Sequence, residues 1–125
     1  IENVKNRDHH IHMNGREVFK HAVRRFPQVI LEGLEYNNIE IEDIALVIPH
    51  QANLRITQAV QKQLNVSEEK IYSNIHKYGN TTAASIPIAL AEAVNDGKVS
   101  EGDLVVFASF GSGFTWASCI IEWIK

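Results

Sequence analysis

The chain has 125 residues, which is the size of one domain and not of two. Hydrophobic residues make up 45% of it and charged residues 22%, values that exclude a disordered chain, and 7 glycines exclude a collagen-like one. The formal net charge is −3, so no whole-domain basic field favours binding to nucleic acid. Cys119 is the single cysteine, which excludes an internal disulfide and fits a reducing cytoplasm.

The sequence contains no sign of a membrane or export segment. Its apolar runs are far shorter than the roughly 18 residues that a membrane span needs. The first 15 residues include Arg7, Asp8 and three histidines and do not form a signal peptide. Because the chain opens on Ile1 and not on Met, we interpret it as a piece of a longer cytoplasmic protein.

The first strong pattern predicts a helix. From Gly15 to Leu34, apolar residues recur at spacings of three and four. Pro27 lies inside this run and has no backbone N–H, so we expect a kink or a break near Phe26. The pair Asn37-Asn38 is typical of the turn that ends such a helix.

A buried strand and a second helix follow. Residues 44–48, IALVI, form an unalternated apolar run of strand length that stops at Pro49. Such a strand is buried on both faces, which predicts a sheet with helices on each side. Residues 51–64 again have helical spacing.

The rest of the sequence, after residue 64, predicts a short strand, a third helix and a hairpin. Residues 71–75 have strand character, and residues 82–94 are helical, with Thr81 or Thr82 as the N-cap and Asp96-Gly97 as the end. Pro87 predicts an irregular first turn in this helix. Residues 104–110 and 114–124 read as two strands, so the fold class is α/β with a mixed sheet.

Three turns carry polar groups that a plain core does not require. His50 follows the buried strand, where α/β folds place ligands, although a histidine that only caps the strand end fits as well. Asn80 follows Gly79 before a helix, where its amide can donate to a carbonyl oxygen or simply belong to a capped turn. Residues 111–113, Gly-Ser-Gly, expose backbone N–H groups suited to an oxyanion hole, but a tight hairpin needs glycine too.

Other reactive side chains are weaker candidates. His9, His10 and His12 have no carboxylate framework beside them, so we predict no metal site. Cys119 lies inside the last predicted strand, where a cysteine is usually a small core residue and not a nucleophile.

Together these segments resemble the C-terminal half of β-ketoacyl-acyl carrier protein synthase III, a condensing enzyme of fatty-acid synthesis. The motifs that carry the resemblance are NGREVFKHAV, VIPHQANLRI, HKYGNTTAASIPIAL and FGSGFTWAS, in this order. The resemblance runs from about Met13 to Trp123. It implies a thiolase-like half, that is, a five-stranded mixed sheet covered by helices, with residues 1–125 as the C-terminal catalytic half.

The resemblance also implies roles. The family works with a Cys, His and Asn triad, whose last two members are His50 and Asn80 here. The backbone N–H of Ser112 takes the oxyanion role, at a turn that usually reads Gly-Gly-Gly in the family. The path of the coenzyme A or pantetheine arm matches Gly15, Phe19, Ala52 and Asn53. The surface that binds acyl carrier protein matches Gln51, Ala52, Asn53, Leu54, Arg55, Lys20 and Lys62.

The family's activity is decarboxylative condensation of an acyl-coenzyme A, such as acetyl-coenzyme A, with malonyl-acyl carrier protein, without a cofactor. The nucleophilic cysteine belongs to the N-terminal half, so we expect this chain alone to be inactive. The partners implied are acyl carrier protein, acyl-coenzyme A, the N-terminal half and a second copy in a homodimer. The helix at residues 82–94 is apolar nearly all round, as an association surface would be.

Two alternatives stay open. One is another Cys-His-Asn condensing enzyme of the thiolase superfamily, making a polyketide, a quinolone or hydroxymethylglutaryl-coenzyme A. The other is a carrier-binding module without activity that retains the His and the Asn.

Overall fold

The computed structural model describes residues 1–10 and 12–124. In chain order the described helices and strands are α1 (Glu2–Lys5), α2 (Gly15–Asn37), β1 (Ile44–Pro49), α3 (Leu54–Leu64), α4 (Ile75–Tyr78), α5 (Ser85–Asn95), β2 (Leu104–Gly111) and β3 (Thr115–Glu122).

The sheet is mixed, as expected, but smaller than the resemblance implied. β1 pairs with β2 in parallel, and β2 pairs with β3 in an antiparallel hairpin. The described residues contain three strands, in the order β1-β2-β3, so the prediction of five strands is wrong for this chain. Outside these strands, the pairing among the described residues is a single isolated bridge and not a strand.

A strand was predicted at residues 71–75, but the structure has only one parallel bridge there, between Ile71 and Val47. The segment leaves the sheet because its polar groups bind elsewhere. The Asn74 backbone N–H donates to the Gln51 side chain at 3.1 Å. The Asn74 amide donates to Glu92 at 2.8 Å. α4 then begins at Ile75.

Each face of the sheet carries its own apolar core. On one face α2 and α3 pack against strand residues that include Val47, Val106 and Phe110. On the other face α5 packs against Leu46, Ile48 and Val105. This arrangement confirms the prediction, made from the unalternated run of β1, that helices cover both sides of the sheet.

The predicted break at Pro27 is wrong, since α2 is helical from Gly15 to Asn37. Proline removes the N–H that would bond to the carbonyl of Val23, four residues earlier. The side-chain amide of Gln63, on α3, donates to that carbonyl at 3.1 Å. A contact between two helices thus satisfies the group that the proline leaves free.

The helix starts differ from the sequence-based expectation. α3 begins at Leu54 because the Asn53 side chain caps it by accepting from the Arg55 N–H at 2.9 Å. The last predicted helix begins with a 3₁₀ turn at Thr82–Ala84, which confirms an irregular first turn. Thr81 occupies the N-cap position of this turn, as predicted, but its side chain makes no capping bond, and the N-cap of α5 itself is Ala84.

Cys119 lies in β3 as predicted, but it is exposed, so its expected place in the core is wrong. It pairs with Phe107 on the face of the sheet that α5 covers. α5 makes its main sheet contacts with β1, at the other edge of the sheet.

Among the helices of residues 1–10 and 12–124, none combines the length and the apolar character needed to cross a bilayer.

Candidate active site

An open cleft of about 900 Å³ lies at the carboxyl end of β1. Its walls come from the start of α2, the loop after β1, the segment before α5 and the β2–β3 turn. Seven of the residues singled out from the sequence line it: Gly15, Phe19, His50, Ala52, Asn53, Asn80 and Ser112. The turns considered separately in the sequence therefore face one common space.

His50 is held where the parallel strand pair ends. Its backbone N–H donates to the carbonyl of Ala108 at 2.7 Å, which extends the β1–β2 ladder by one residue. Its Nδ1 lies 2.6 Å from the hydroxyl oxygen of Ser85. The ring is half-buried, and this burial lowers its pKa below the ordinary value of 6.5. The lowered pKa favours the neutral imidazole, which can donate one hydrogen bond.

Asn80 is presented by a turn that only glycine adopts easily. Gly79 has φ +67° and ψ −153°, a conformation costly for residues with a Cβ. The Asn80 side-chain oxygen accepts from the Thr82 N–H at 2.9 Å. Among the described residues no acceptor binds the amide NH₂, which remains as a donor at the cleft. The capped-turn interpretation and the donor interpretation are thus compatible.

Thr82, which also lines the cleft, has φ +53°. A left-handed conformation is unusual for a β-branched residue and costs on the order of 1–3 kcal/mol. Such strain is typical of segments whose surroundings hold them in place for a function.

The glycine-rich turn forms the opposite wall. Gly113 has φ +142°, and the Ser112 carbonyl accepts from the Thr115 hydroxyl at 3.3 Å. Phe110 and Phe114 flank the turn, with ring centroids 5.1 Å apart. In the described part of the chain, no acceptor engages the Ser112 backbone N–H. That N–H is free to bind an anionic oxygen.

One carboxylate fixes the segment that leads to Asn80. Glu92, on α5, accepts from the Asn74 amide at 2.8 Å, the Lys77 ammonium at 3.1 Å and the Tyr78 hydroxyl at 2.7 Å. These hydrogen bonds, with that of Asn74 first, lower the pKa of Glu92 to about 2. The same contacts raise the pKa values of Lys77 and Tyr78. We call Glu92 and its three donors the α5 clamp.

The described residues contain no group of three or more His, Cys, Asp or Glu side chains that could hold a metal ion. The rings of His9 and His10 lie in an exposed segment, with centroids 4.3 Å apart and planes tilted by 42°.

Comparison with known proteins connects this cleft to a family. Residues 34–123 match the family described as 3-oxoacyl-[acyl-carrier-protein (ACP)] synthase III C terminal. The chain belongs to this family.

Individual members of the synthase III family agree with this assignment. The β-ketoacyl-[acyl-carrier-protein] synthase III of Desulfotalea psychrophila is 52% identical over 114 residues, 91% of this chain and 35% of that protein. The crystal structure of the Thermus thermophilus synthase III superposes with a TM-score of 0.88 at 50% identity, over 90% of this chain and 35% of that one. The fold is thus the thiolase-like α/β fold, and this chain spans about a third of its relatives' length.

A priming β-ketosynthase from the R1128 polyketide biosynthetic pathway is also similar. It superposes with a TM-score of 0.84 at 32% identity, covering 91% of this chain and 34% of that one.

Five residues assigned to carrier-protein binding by the synthase III resemblance lie outside the cleft lining: Gln51, Leu54, Arg55, Lys20 and Lys62. Gln51 is only 1% exposed and has almost no surface to offer a partner, and its assignment to carrier-protein binding stays a prediction. Its amide donates to the Pro49 carbonyl at 2.7 Å, and its oxygen accepts from the Ser73 hydroxyl at 2.9 Å. Gln51 ties the loop after β1 to the segment before α4.

The other four are exposed. Arg55 and Lys62 are two turns apart on α3 and therefore share one face of that helix. Lys20 pairs with Glu17 on its own helix at 2.8 Å, which offsets its charge locally.

Ser85 and Glu92 are the site residues that the sequence analysis missed. Both lie in the segment TAASIPIALAEAV, which reads mainly as an apolar helix. The available signal was their polarity: a serine and a glutamate within an otherwise apolar helix need partners. Here Ser85 contacts His50 of the cleft, and Glu92 binds the segment that leads to Asn80.

Proposed function

We propose that this chain forms the part of a β-ketoacyl-acyl carrier protein synthase III that supplies the His and Asn of its catalytic triad. The activity is condensation of an acyl-coenzyme A with malonyl-acyl carrier protein. The observation that carries the proposal is the common cleft, where a neutral His50 and the free amide of Asn80 stand as two donors.

The reaction begins at a cysteine in the part of the enzyme that lies outside this chain. Its thiolate attacks the acyl carbonyl, the bond between the acyl carbon and sulfur breaks, coenzyme A leaves as its thiolate, and an acyl thioester on the enzyme remains. The malonyl group then loses CO₂, and the electrons of the broken carbon–carbon bond form an enolate. The enolate carbon attacks the acyl thioester, and the cysteine thiolate leaves.

The donors of this chain act where negative charge develops. His50 and Asn80 stabilise the enolate oxygen by hydrogen bonds that are in place before the charge forms. The Ser112 N–H donates a hydrogen bond to the oxyanion of the tetrahedral intermediate at the acyl carbon. No cofactor is needed in this scheme, because the thioester and the leaving CO₂ drive the chemistry.

The pantetheine arm enters along the start of α2. Gly15 leaves the wall open, since a Cβ added there meets no atom within 4 Å. Phe19 and Ala52 supply apolar contact, and Asn53 lies beside them. An extended chain of thioester and amide groups suits a cleft of mixed polarity.

The test is a condensation assay on a full-length synthase that carries this chain. Acetyl-coenzyme A and malonyl-carrier protein should give the 3-oxoacyl-carrier protein and CO₂, whereas the 125-residue chain alone should give neither product. The proposal is contradicted if 3-oxoacyl-carrier protein is formed by a full-length protein whose nucleophilic cysteine is replaced by alanine, or if none is formed by the intact protein.

We infer that the acidic carrier protein docks on the α3 face that bears Arg55 and Lys62. Arg55→Glu should raise the KM for malonyl-carrier protein about tenfold or more while the KM for acetyl-coenzyme A changes little, because charge reversal replaces attraction by repulsion. The effect should shrink at high salt, since exposed charges are screened over about 10 Å at 0.1 M.

Lys98→Glu is the matched control for Arg55→Glu. Lys98 is exposed and follows α5, on the opposite layer of the sheet, so the same kind of charge reversal there should leave both KM values unchanged. An equal loss with both substrates in Arg55→Glu would place Arg55 in the shared acyl path and not at the docking face.

A second candidate is a synthase that primes a polyketide pathway, favoured by the 32% identity to the R1128 priming enzyme. It shares the cleft chemistry and differs in the acyl group accepted. Comparing acetyl-coenzyme A with longer and branched acyl-coenzyme A primers separates the two.

A further inference from the structure

His50 and Ser85 make the shortest side-chain contact at the cleft. Ser85 is the first residue of α5 and is 2% exposed, so its hydroxyl has almost no access to bulk water. Its oxygen lies 2.6 Å from Nδ1 of His50, on a residue 35 positions away in the chain.

The direction of this bond follows from the groups around the hydroxyl. The Gln51 backbone N–H donates to the Ser85 oxygen at 3.3 Å, which uses one of its acceptor sites. Within the described part of the chain, Nδ1 is the one acceptor within reach of the hydroxyl proton. A buried donor is nearly always satisfied, so the hydroxyl donates and Nδ1 accepts.

We propose that Ser85 is a positioning residue that holds the His50 imidazole in its neutral Nε2–H tautomer. A ring that accepts at Nδ1 carries its single proton on Nε2, at the edge that faces away from Ser85. This deepens the proposed function and rests on it for its catalytic meaning, because Nε2–H is then the donor offered to the enolate oxygen.

The opposite arrangement is unfavourable for a structural reason. If Nδ1 carried the proton and donated to Ser85, the hydroxyl proton would lack an acceptor among the described residues while remaining buried. An imidazolium ring carries a proton on Nδ1 as well, so it would also leave the Ser85 hydroxyl proton without an acceptor. The serine therefore opposes both the other tautomer and protonation of the ring, and it leaves the enolate a neutral donor.

The tautomer is measurable without an activity assay. In the full-length protein labelled with ¹⁵N-histidine, the nitrogen shifts at pH 8 should show His50 with a protonated Nε2 and an accepting Nδ1. His50→Gln identifies its signals among those of the other histidines. Ser85→Ala should give a mixture of tautomers, and Ser85→Thr, which retains a hydroxyl, should restore Nε2–H.

Ser118→Ala is the matched control. It removes a hydroxyl that donates to the Val29 carbonyl at 2.7 Å, away from the cleft, and should leave the His50 signals unchanged. If the unsubstituted protein shows protonated Nδ1, or if Ser85→Ala keeps pure Nε2–H, the proposal is overturned. The first of these measurements needs no variant of Ser85, so the test holds even where Ser85→Ala folds poorly.

Activity gives the second readout. Ser85→Ala should lower kcat for malonyl decarboxylation on the order of 10- to 100-fold with little change in KM, because the donor is misoriented while the binding path is intact. Ser85→Thr should recover most of that loss. A protein that shows the predicted tautomer but condenses nothing would overturn the proposed function and leave the role of Ser85 standing.

Discussion

His50→Ala should slow malonyl decarboxylation by a full-length synthase about 10²- to 10³-fold, the usual effect of losing one well-placed oxyanion donor. Acyl transfer from acetyl-coenzyme A to the nucleophilic cysteine should stay within about threefold, since the donors are assigned to the enolate step. Release of CO₂ and release of coenzyme A measure the two steps separately.

Asn80 allows a sharper form of the same experiment. Asn80→Ala removes both the NH₂ donor and the oxygen that accepts from the Thr82 N–H, so it changes the turn as well as the chemistry. Asn80→Asp retains the accepting oxygen and removes the donor. If the role of Asn80 is donation to the enolate, both variants should lose decarboxylation by about 10²-fold or more.

The controls replace the same residue types outside the cleft lining. His76 is exposed on α4, just before the Asn80 turn, and Asn95 is exposed at the end of α5. His76→Ala and Asn95→Ala should retain both steps. Decarboxylation within threefold of the unsubstituted enzyme in His50→Ala would contradict the assignment of His50 as a donor.

The elements with a strong local signal were predictable from the sequence. The unalternated run of β1 indicated a strand with helices on both sides, and the glycine-rich turn indicated the hairpin of β2 and β3. His50 and Asn80 were also predictable as candidates, because each stands at a strand end or a helix start where polar side chains reach a shared space.

The errors came from contacts between distant segments. Pro27 leaves α2 unbroken because Gln63 reaches across from α3, and the segment after Ile71 leaves the sheet because Asn74 binds Glu92 and Gln51. Gln51 resembles a surface residue in sequence but is buried as a link between two loops. Periodicity is a local property of the chain and carries no information about these pairings.

The same limit explains why the supporting side chains were missed. Ser85 and Glu92 lie on one helix, and each binds a partner from a different segment of the chain. Their apolar neighbours indicate that both need partners, but they do not indicate which segments supply those partners. Their roles emerge only when α5 is placed against the loop after β1 on one side and against α4 on the other.

Because the α5 clamp holds the segment before Asn80, we expect substitutions of Glu92 to shift the Asn80 side chain. Glu92→Ala removes the acceptor of three donors that precede the Asn80 turn, so the turn should shift and decarboxylation should fall on the order of 10- to 100-fold, with acyl transfer retained. Glu92→Gln retains an oxygen of the same shape and should lose less. Full activity in Glu92→Ala would show that the Asn80 turn holds its place without the clamp.

Acid unfolding tests the same cluster through its charge. The pKa of Glu92 is about 2 in the folded chain against an ordinary 4.5, so the folded state favours the carboxylate. This contribution to stability is fully present above pH 4.5 and is lost as the pH falls from 4.5 towards 2.

Thermal unfolding at several pH values should therefore show the unsubstituted protein more stable than Glu92→Gln at pH 7, with the difference vanishing near pH 2. Glu101→Gln, at an exposed carboxylate, should show no such convergence. A constant difference between the protein and Glu92→Gln across this range would mean that the three donors act on Glu92 through shape and packing and not through its charge.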